Sequence, residues 1–187
     1  KTPPASATTP EDLTERAVHR RAVEAVIWGM PAVNFELMHD AATKLKGDWN
    51  QIVYWSRLPS WKNQTLTPNP DVIYLMPFYD TRNGPVVLEI PPAEDGSTIT
   101  GSVDDGWQTA IEDVGPAVVD KGKGGKYLIL PPGHDGKVPT GYIPMPSSTY
   151  TGYALLRSNI GSGSEQDIAK AAEYGRRVKL YPYSQAA

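Results

Sequence analysis

The chain has 187 residues, of which 40% are hydrophobic and 21% are charged, and it contains no cysteine. This length is enough for one sizeable hydrophobic core and excludes a small zinc module or a short peptide. The net charge of -3 provides no positive field for a nucleic-acid backbone, and no apolar run reaches the roughly 18 residues of a membrane span. We therefore expect no nucleic-acid and no membrane partner.

The first nine residues differ in composition from the rest of the chain. Residues 1–9 are small, polar and proline-bearing, which is typical of a disordered tail or of a stub left when a secretion signal is removed. We interpret residues 10–187 as a single strand-rich domain with flanking helices. The 17 glycines and 18 prolines favour many short elements joined by turns.

Two helices are predicted at the start of this domain. Thr9, followed by Pro10, has the character of a helix N-cap and predicts a helix to about Gly29. Pro31 should then kink or restart the helix, and a second helix should end at Gly47 as its C′ residue. Apolar residues spaced three and four apart mark the faces expected to be buried, namely Val18, Ala22, Ala25, Val26 and Gly29, then Val33, Leu37, Met38, Ala41 and Leu45.

From residue 52 the pattern changes to short β-branched and aromatic runs. Predicted strands are 52–55, 72–79, 86–90, 98–103, 107–114, 126–130 and 153–157. An Asn-Gly pair in 80–84 predicts a hairpin loop between the second and third of them. Ser164 caps a third helix near 165–178. The predicted fold class is α+β, with N-terminal helices, a mainly antiparallel β domain and a C-terminal helix, because strands and helices do not alternate.

Motifs for common catalytic machinery are missing from the sequence. The three histidines, His19, His39 and His134, have no metal-ligand spacing, and no G-x-S-x-G is present. The glycine-lysine run 122–126 precedes a strand instead of a helix, so it is interpreted as a hairpin or edge loop and not as a phosphate-binding loop. We expect neither a metal nor a cofactor.

Acidic residues concentrate between 104 and 113. Asp105, Glu112 and Asp113 are the candidate catalytic residues, because two carboxyl groups can act as the acid and base of a hydrolase. Oxygen ligands at this spacing can also bind calcium, although the D-x-D-x-D-G pattern is incomplete. Asp104 and Asp105 cannot act as one pair, since neighbours on a strand point to opposite faces. Solvated turn acids are the interpretation that the sequence favours over either role.

A second group mixes aromatic and polar residues around a proline-rich loop. It comprises Trp55, Arg57, Trp61, Asn69, Asp71 and Tyr74. Such mixtures line ligand clefts, but Trp and Tyr also fill ordinary cores with their polar tips bonded. Asp71 is further predicted to organise the turn 68–70 through side-chain bonds to backbone amides.

Several motifs together resemble a known bacterial family, called domain of unknown function 1254. They are 67–74, Asp80, 84–91, 105–108, 112–116, 121–133, 156–158 and 180–182. The resemblance implies a strand-rich sandwich. It also implies export to the periplasm or secretion, and a partner, either a C-terminal domain of unknown function 1214 or a separate C-terminal half. We therefore expect an exposed apolar surface that includes 178–183, and a possible homo-oligomer.

Three classes of function follow from these observations. The first is an exported protein that binds a small polar or aromatic molecule in a cleft of the β domain, lined by Trp55, Asn69, Asp71, Tyr74, Trp107 and Arg157. The second is a carboxylate-dependent hydrolase. The third is a structural or assembly protein, which would show a large apolar surface and no cleft.

Overall fold

The computed structural model describes residues 9–62 and 68–186. The predicted disordered tail thus lies outside the described residues, apart from Thr9. In these ranges the elements in chain order are α1 Pro10–Lys44, β1 Gln51–Tyr54, β2 Val72–Asp80, β3 Val86–Ile90, β4 Ile99–Asp105, β5 Ala110–Val114, β6 Gly125–Leu130, β7 Tyr142–Pro146, β8 Thr151–Asn159, α2 Glu165–Gly175, β9 Lys179–Pro182 and a 3-10 turn Tyr183–Gln185.

The strands form two sheets that share one core. One sheet has the order β1-β2-β8-β4-β5 and the other the order β7-β6-β3-β9. Every pairing is antiparallel except that of β6 with β7, which is parallel. Leu75 and Leu156 of the first sheet and Leu88 of the second are fully buried in the shared core. The α+β fold with a mainly antiparallel β domain is confirmed.

Both ends of α1 have well-formed caps. The Thr9 hydroxyl accepts from the Asp12 amide at 3.1 Å, and the Asp12 carboxylate accepts from the Thr9 amide at 2.9 Å, which makes a capping box. At the other end the Gly47 amide donates to the Ala42 carbonyl at 2.9 Å. The residue with positive φ is Lys46, at 67°, so Gly47 occupies C″ of a Schellman motif and not the predicted C′ position.

The predicted restart of the helix at Pro31 is wrong, because α1 is a single helix of 35 residues that includes Pro31. Proline removes one helical hydrogen bond, but a loop of the β domain holds this turn of the helix in place. The Gln108 side-chain amide donates to the Pro31 carbonyl at 2.7 Å, and the rings of Trp28 and Trp107 lie 4.8 Å apart. No helix in the described ranges is both long enough and apolar enough to span a bilayer.

The predicted buried faces of α1 are also wrong for most of their residues, although Met38 is partly buried against the core. Phe35 and Ala42 are the buried residues of this helix, whereas Val18, Val26, Val33, Leu37 and Leu45 are between 59% and 74% exposed. Apolar residues occupy nearly every side of the helix between residues 22 and 33, so periodicity alone could not choose the side that meets the sheet.

The predicted hairpin at 80–84 is wrong as well. A turn does form, with the Gly84 amide donating to the Thr81 carbonyl at 3.0 Å and a φ of 119° at Gly84. However, β2 pairs with β1 and β8, and β3 pairs with β6 and β9. The turn therefore crosses from one sheet to the other. The run 122–126 likewise lies where the chain passes from one sheet to the other, and its last two residues already belong to β6.

Two strands were absent from the sequence prediction. Strand β7 contains Pro144 and Pro146, but it is an edge strand, where proline is tolerated. Strand β9 pairs with β3 at the opposite edge of the sheet. Val178 is buried in the core and Leu180 packs against it, so 178–183 is not the exposed apolar surface that the sequence led us to expect.

Helix α2 packs on the edge of the core formed by β2 and β8. Its N-cap is Ser164, as predicted, and its hydroxyl accepts from the Asp167 amide at 3.2 Å. Gly175 allows a close approach, since a Cβ there would lie 3.2 Å from Leu75 and 3.5 Å from the side chain of Ser158. The helix therefore closes the core beside Ser158, which is fully buried.

Candidate functional site

The outer face of the five-stranded sheet, on the side away from the shared core, carries the candidate site. Side chains alternate along each strand, so the residues between the core positions of β2 and β8 point outward. The C-terminal part of α1 lies across this face, and the Phe35 ring is 5.9 Å from that of Tyr153. His39 stacks on Trp49 at 3.6 Å and meets Phe78 edge-on at 5.4 Å. These contacts fix the helix on the sheet.

Beside this contact a groove of about 860 Å³ runs between α1 and strands β1 and β2. We call it the outer groove. It is lined by Asn34, Leu37, Met38, Ala41, Ala42 and Leu45 of α1 and by Val53, Tyr54, Trp55, Ser56, Arg57, Met76 and Phe78. Most of these side chains are apolar. The sequence analysis named Trp55 and Arg57, but it did not identify the wall that α1 supplies. Predicting that wall requires knowing which side of the helix packs on the sheet.

Four of the predicted ligand-binding residues lie together around Tyr74, and one of them, Trp55, reaches this groove. The Trp55 and Tyr74 rings are edge-on at 6.3 Å, and the Arg157 guanidinium lies 5.8 Å from the centre of the Tyr74 ring. The Asn69 amide donates to the Tyr74 hydroxyl at 2.8 Å. Of these residues Trp55 lines the groove, and the other three are not among the lining residues.

The fifth, Asp71, sits at the adjoining turn and is exposed. Its backbone amide donates to the Asn69 side-chain oxygen at 2.8 Å. The side chain shown to brace the turn 68–70 is therefore Asn69, where the sequence analysis assigned that role to Asp71. Both residue types form such turns, and the sequence does not decide which side chain accepts the amide.

The sixth, Trp107, is not part of the groove lining. It follows β4 in the turn that contacts α1 near Pro31, and its ring packs against Trp28. Its neighbour Gln108 accepts from the Asn34 side chain at 3.4 Å and from the Tyr153 hydroxyl at 3.2 Å. This aromatic-polar pair anchors the helix that forms one wall of the groove.

The candidate carboxylates are not brought together as an acid-base pair. Asp105 is buried, and its carboxylate accepts from the amides of Trp107 and Thr109, both at 2.9 Å, and from the Ser148 hydroxyl at 2.5 Å. These bonds hold the turn that contacts α1. Asp113 accepts from the Ser102 hydroxyl at 2.6 Å.

Glu112 is the remaining candidate. Its carboxylate accepts from the Asp113 amide at 3.0 Å. Because Glu112 and Asp113 are adjacent on β5, their side chains point to opposite faces of the sheet. Within the described ranges, no three side chains of the types that bind metals come close enough to hold an ion.

Asp104, which the sequence analysis set aside, is nearly buried on the outer face opposite Tyr153. Burial raises its pKa, and the nearby charges of Asp105 and Asp113 raise it further. Burial together with Asp104 also raises the pKa of Tyr153 to about 12. Ionised Asp104 is thus disfavoured by the fold.

We expect Asp104→Asn to stabilise the protein at pH 7. A carboxyl whose pKa is raised in the folded state favours folding only while it is protonated, and this contribution is lost as the pH rises through the folded-state pKa. The gain in free energy of unfolding over the original chain should disappear at pH 3, where the carboxyl is protonated in both the folded and the unfolded state. Urea unfolding at the two pH values measures it, with the exposed Asp135→Asn as the control. A less stable Asp104→Asn chain at pH 7 would contradict this account.

Fold and site together define an α+β protein whose two-sheet core carries a long helix and an open, largely apolar groove. The model of the family "Protein of unknown function (DUF1254)" matches residues 49–182, and the chain belongs to this family. A search of curated proteins gives no match.

A solved structure, the crystal structure of the VPA0106 protein from Vibrio parahaemolyticus, shares the fold with a TM-score of 0.68 at 16% identity. The similarity covers 87% of this chain and 37% of that one, so the present chain spans well under half the length of that protein.

Proposed function

We propose that the protein binds a small molecule in the outer groove, one with an aromatic or apolar body and a polar or anionic end. The observation that carries this proposal is the groove itself: about 860 Å³ of space lined mainly by apolar side chains, with both Trp55 and Arg57 in its wall. Ligand pockets are typically 300–1,000 Å³, largely apolar, with a few polar groups that orient the ligand.

Different lining residues of the groove are suited to different parts of a ligand. Its apolar wall, formed by residues such as Met38, Val53 and Met76, provides contact area for the body of a ligand. The exposed Arg57 offers a planar, permanently charged fork suited to a carboxylate or sulfonate. Trp55 is held by its edge-on contact with Tyr74 and offers its ring for stacking.

Binding is favoured over hydrolysis by the positions of the carboxylates. Asp105, Glu112 and Asp113 are absent from the groove lining. Each also accepts hydrogen bonds from neighbouring residues, which gives them a role in supporting the turn and strand. The described residues that line the groove therefore offer surfaces for holding a molecule, and they include no paired acid and base of the kind that such a hydrolase would need.

A fluorescence titration with 8-anilinonaphthalene-1-sulfonate tests the proposal, because this probe has an aromatic body and one sulfonate. We expect saturable binding, weakened at least about tenfold by Ala41→Trp, since the indole would fill the groove. Ala17→Trp is the matched control, because Ala17 is exposed on the same helix but outside the groove. Absence of binding, or equal loss in both variants, would contradict the proposal.

The role of Arg57 is tested with the same probe. Arg57→Gln removes the charge that faces the sulfonate, and we expect at least about tenfold weaker binding, as for loss of one charge-assisted hydrogen bond. Arg176→Gln, at an exposed position at the end of α2 and outside the groove lining, should leave the affinity unchanged. If neither substitution alters the affinity, the anionic end of the ligand does not contact Arg57.

A further inference from the structure

An exposed apolar stripe runs along α1. We call it the outer stripe, and it consists of Val18, Ala22, Val26, Gly29, Val33 and Leu37. At 100° per residue these positions fall within about 100° of one another, roughly opposite Phe35 and Ala42, which face the sheet. The four larger members, Val18, Val26, Val33 and Leu37, are between 59% and 66% exposed.

The length of this stripe is unusual for a surface in contact with water. From Val18 to Leu37 it extends about 29 Å at 1.5 Å per residue. Single exposed apolar residues are common, but a contiguous row of this size marks an interaction site. The stripe also lies on a well-capped helix that is fixed to the β domain at Pro31, which presents it as a rigid edge.

We propose that the outer stripe pairs with the same stripe of a second copy of this chain, with the two helices antiparallel and the two-fold axis between Gly29 and Met30. In this register Ala22 lies opposite Leu37 of the second copy, and Val26 lies opposite its Val33. Gly29, which has open space around it, falls at the axis and lets the two helices approach closely.

The charges of α1 support this register and direction. Glu15 of one copy lies opposite Lys44 of the other. His19 lies opposite Asp40. Each pair joins an acidic and a basic residue, and each occurs twice in the dimer because the interface is symmetric. A parallel arrangement would instead place each of these residues against its own copy, acid against acid.

The position of the β domain permits such a pair. Phe35 and Ala42 bind the sheet on one side of α1, and the outer stripe is on the other. The two β domains of the dimer would therefore lie on opposite sides of the paired helices. The outer groove of each copy remains in its own chain, and Leu37 is the residue that its lining shares with the dimer contact.

Sedimentation equilibrium of the 187-residue chain tests the association. We expect a concentration-dependent dimer, with Val26→Asp raising its dissociation constant at least about 100-fold, because each dimer would bury two unpaired carboxylates. The control Ile27→Asp is one residue along, 64% exposed and on another side of the helix, and should have little effect. A chain that stays monomeric at high concentration, or is affected equally by both variants, would overturn the proposal.

Cysteine cross-linking tests the register, since the chain has no cysteine of its own. Met30→Cys should form a disulfide with its own copy under mild oxidation. Ala22→Cys alone should not, whereas Ala22→Cys mixed with Leu37→Cys should cross-link. Efficient self-cross-linking of Ala22→Cys would show a parallel pair and overturn the antiparallel register.

A charge exchange tests the predicted ion pair. Glu15→Lys and Lys44→Glu should each weaken the dimer severalfold, because each places like charges opposite one another. The double variant restores opposite charges and should recover most of the lost affinity. A double variant as weak as the sum of the two single changes would show that these residues do not face each other, and would overturn the register.

Discussion

Gly152→Ala should destabilise the fold by about 3 kcal/mol, the upper range for forcing extra atoms into a packed core. A Cβ at this position would lie 2.3 Å from the Tyr79 hydroxyl oxygen and 2.4 Å from the Asp104 carbonyl oxygen. The Tyr79 ring cannot move aside easily, since it is 1% exposed and its hydroxyl is bonded to the Asp104 carbonyl at 3.1 Å and to Ser147 at 3.0 Å.

Thermal unfolding measures this effect, and a loss of about 3 kcal/mol corresponds to a midpoint lower by roughly 10 °C in a chain of this size. Gly161→Ala is the matched control, because its added Cβ would meet only the Asp167 carboxylate, at 3.6 Å. That chain should melt at the original temperature. Equal midpoints for Gly152→Ala and Gly161→Ala would show that the packing around Tyr79 is looser than described.

Asp120→Ala should also cost about 3 kcal/mol or more, because it leaves buried donors without a partner. Asp120 is 5% exposed, and its carboxylate accepts from the Gly115 amide at 3.1 Å, the Gly122 amide at 2.7 Å and the Tyr127 hydroxyl at 2.7 Å. Burial, reinforced by the bond to Asp120, raises the pKa of Tyr127, so its hydroxyl keeps the proton that it donates.

Urea unfolding at neutral pH tests this expectation. Asp120→Asn keeps an accepting oxygen and should lose only part of the stability, while Asp135→Ala, at an exposed loop position, should change it by less than about 0.5 kcal/mol. A fully stable Asp120→Ala chain would contradict the role of this carboxylate in holding the connection between the sheets.

Local features of the fold were predictable from the sequence because they depend on neighbouring residues. Thr9 and Ser164 cap their helices as expected, since a hydroxyl at that position reaches the free amides of the first turn. The run Val86–Ile90 forms a strand with the predicted bounds.

Pairing between distant elements was not predictable in the same way. The Asn83-Gly84 pair does make a turn, but nothing local to it shows that β2 and β3 belong to different sheets. Pro144 and Pro146 made β7 hard to predict from the sequence. Proline lacks an amide proton and is tolerated in an edge strand, but the sequence does not show that β7 lies at an edge. The same limit applies to Pro31, whose turn is held by Gln108 from far along the chain.

The candidate site shows the same division. Trp55 and Tyr74 were found from an aromatic and polar mixture, and they do lie together. Trp107 had the same composition around it but packs against Trp28. Predicting the helical wall of the groove requires knowing which side of α1 meets the sheet. Phe35 decides this by its shape and contacts, whereas the apolar pattern of the helix favoured the stripe through Val33 and Leu37.

The indole N–H signals of the five tryptophans provide the most direct test of the proposed ligand site. In two-dimensional NMR spectra of the chain, titrated with 8-anilinonaphthalene-1-sulfonate, we predict that the Trp55 signal shifts saturably. The Trp28 and Trp107 signals, which arise from the opposite end of the contact between α1 and the β domain, should stay in place. Shifts of Trp28 and Trp107 with an unchanged Trp55 would contradict binding in the outer groove.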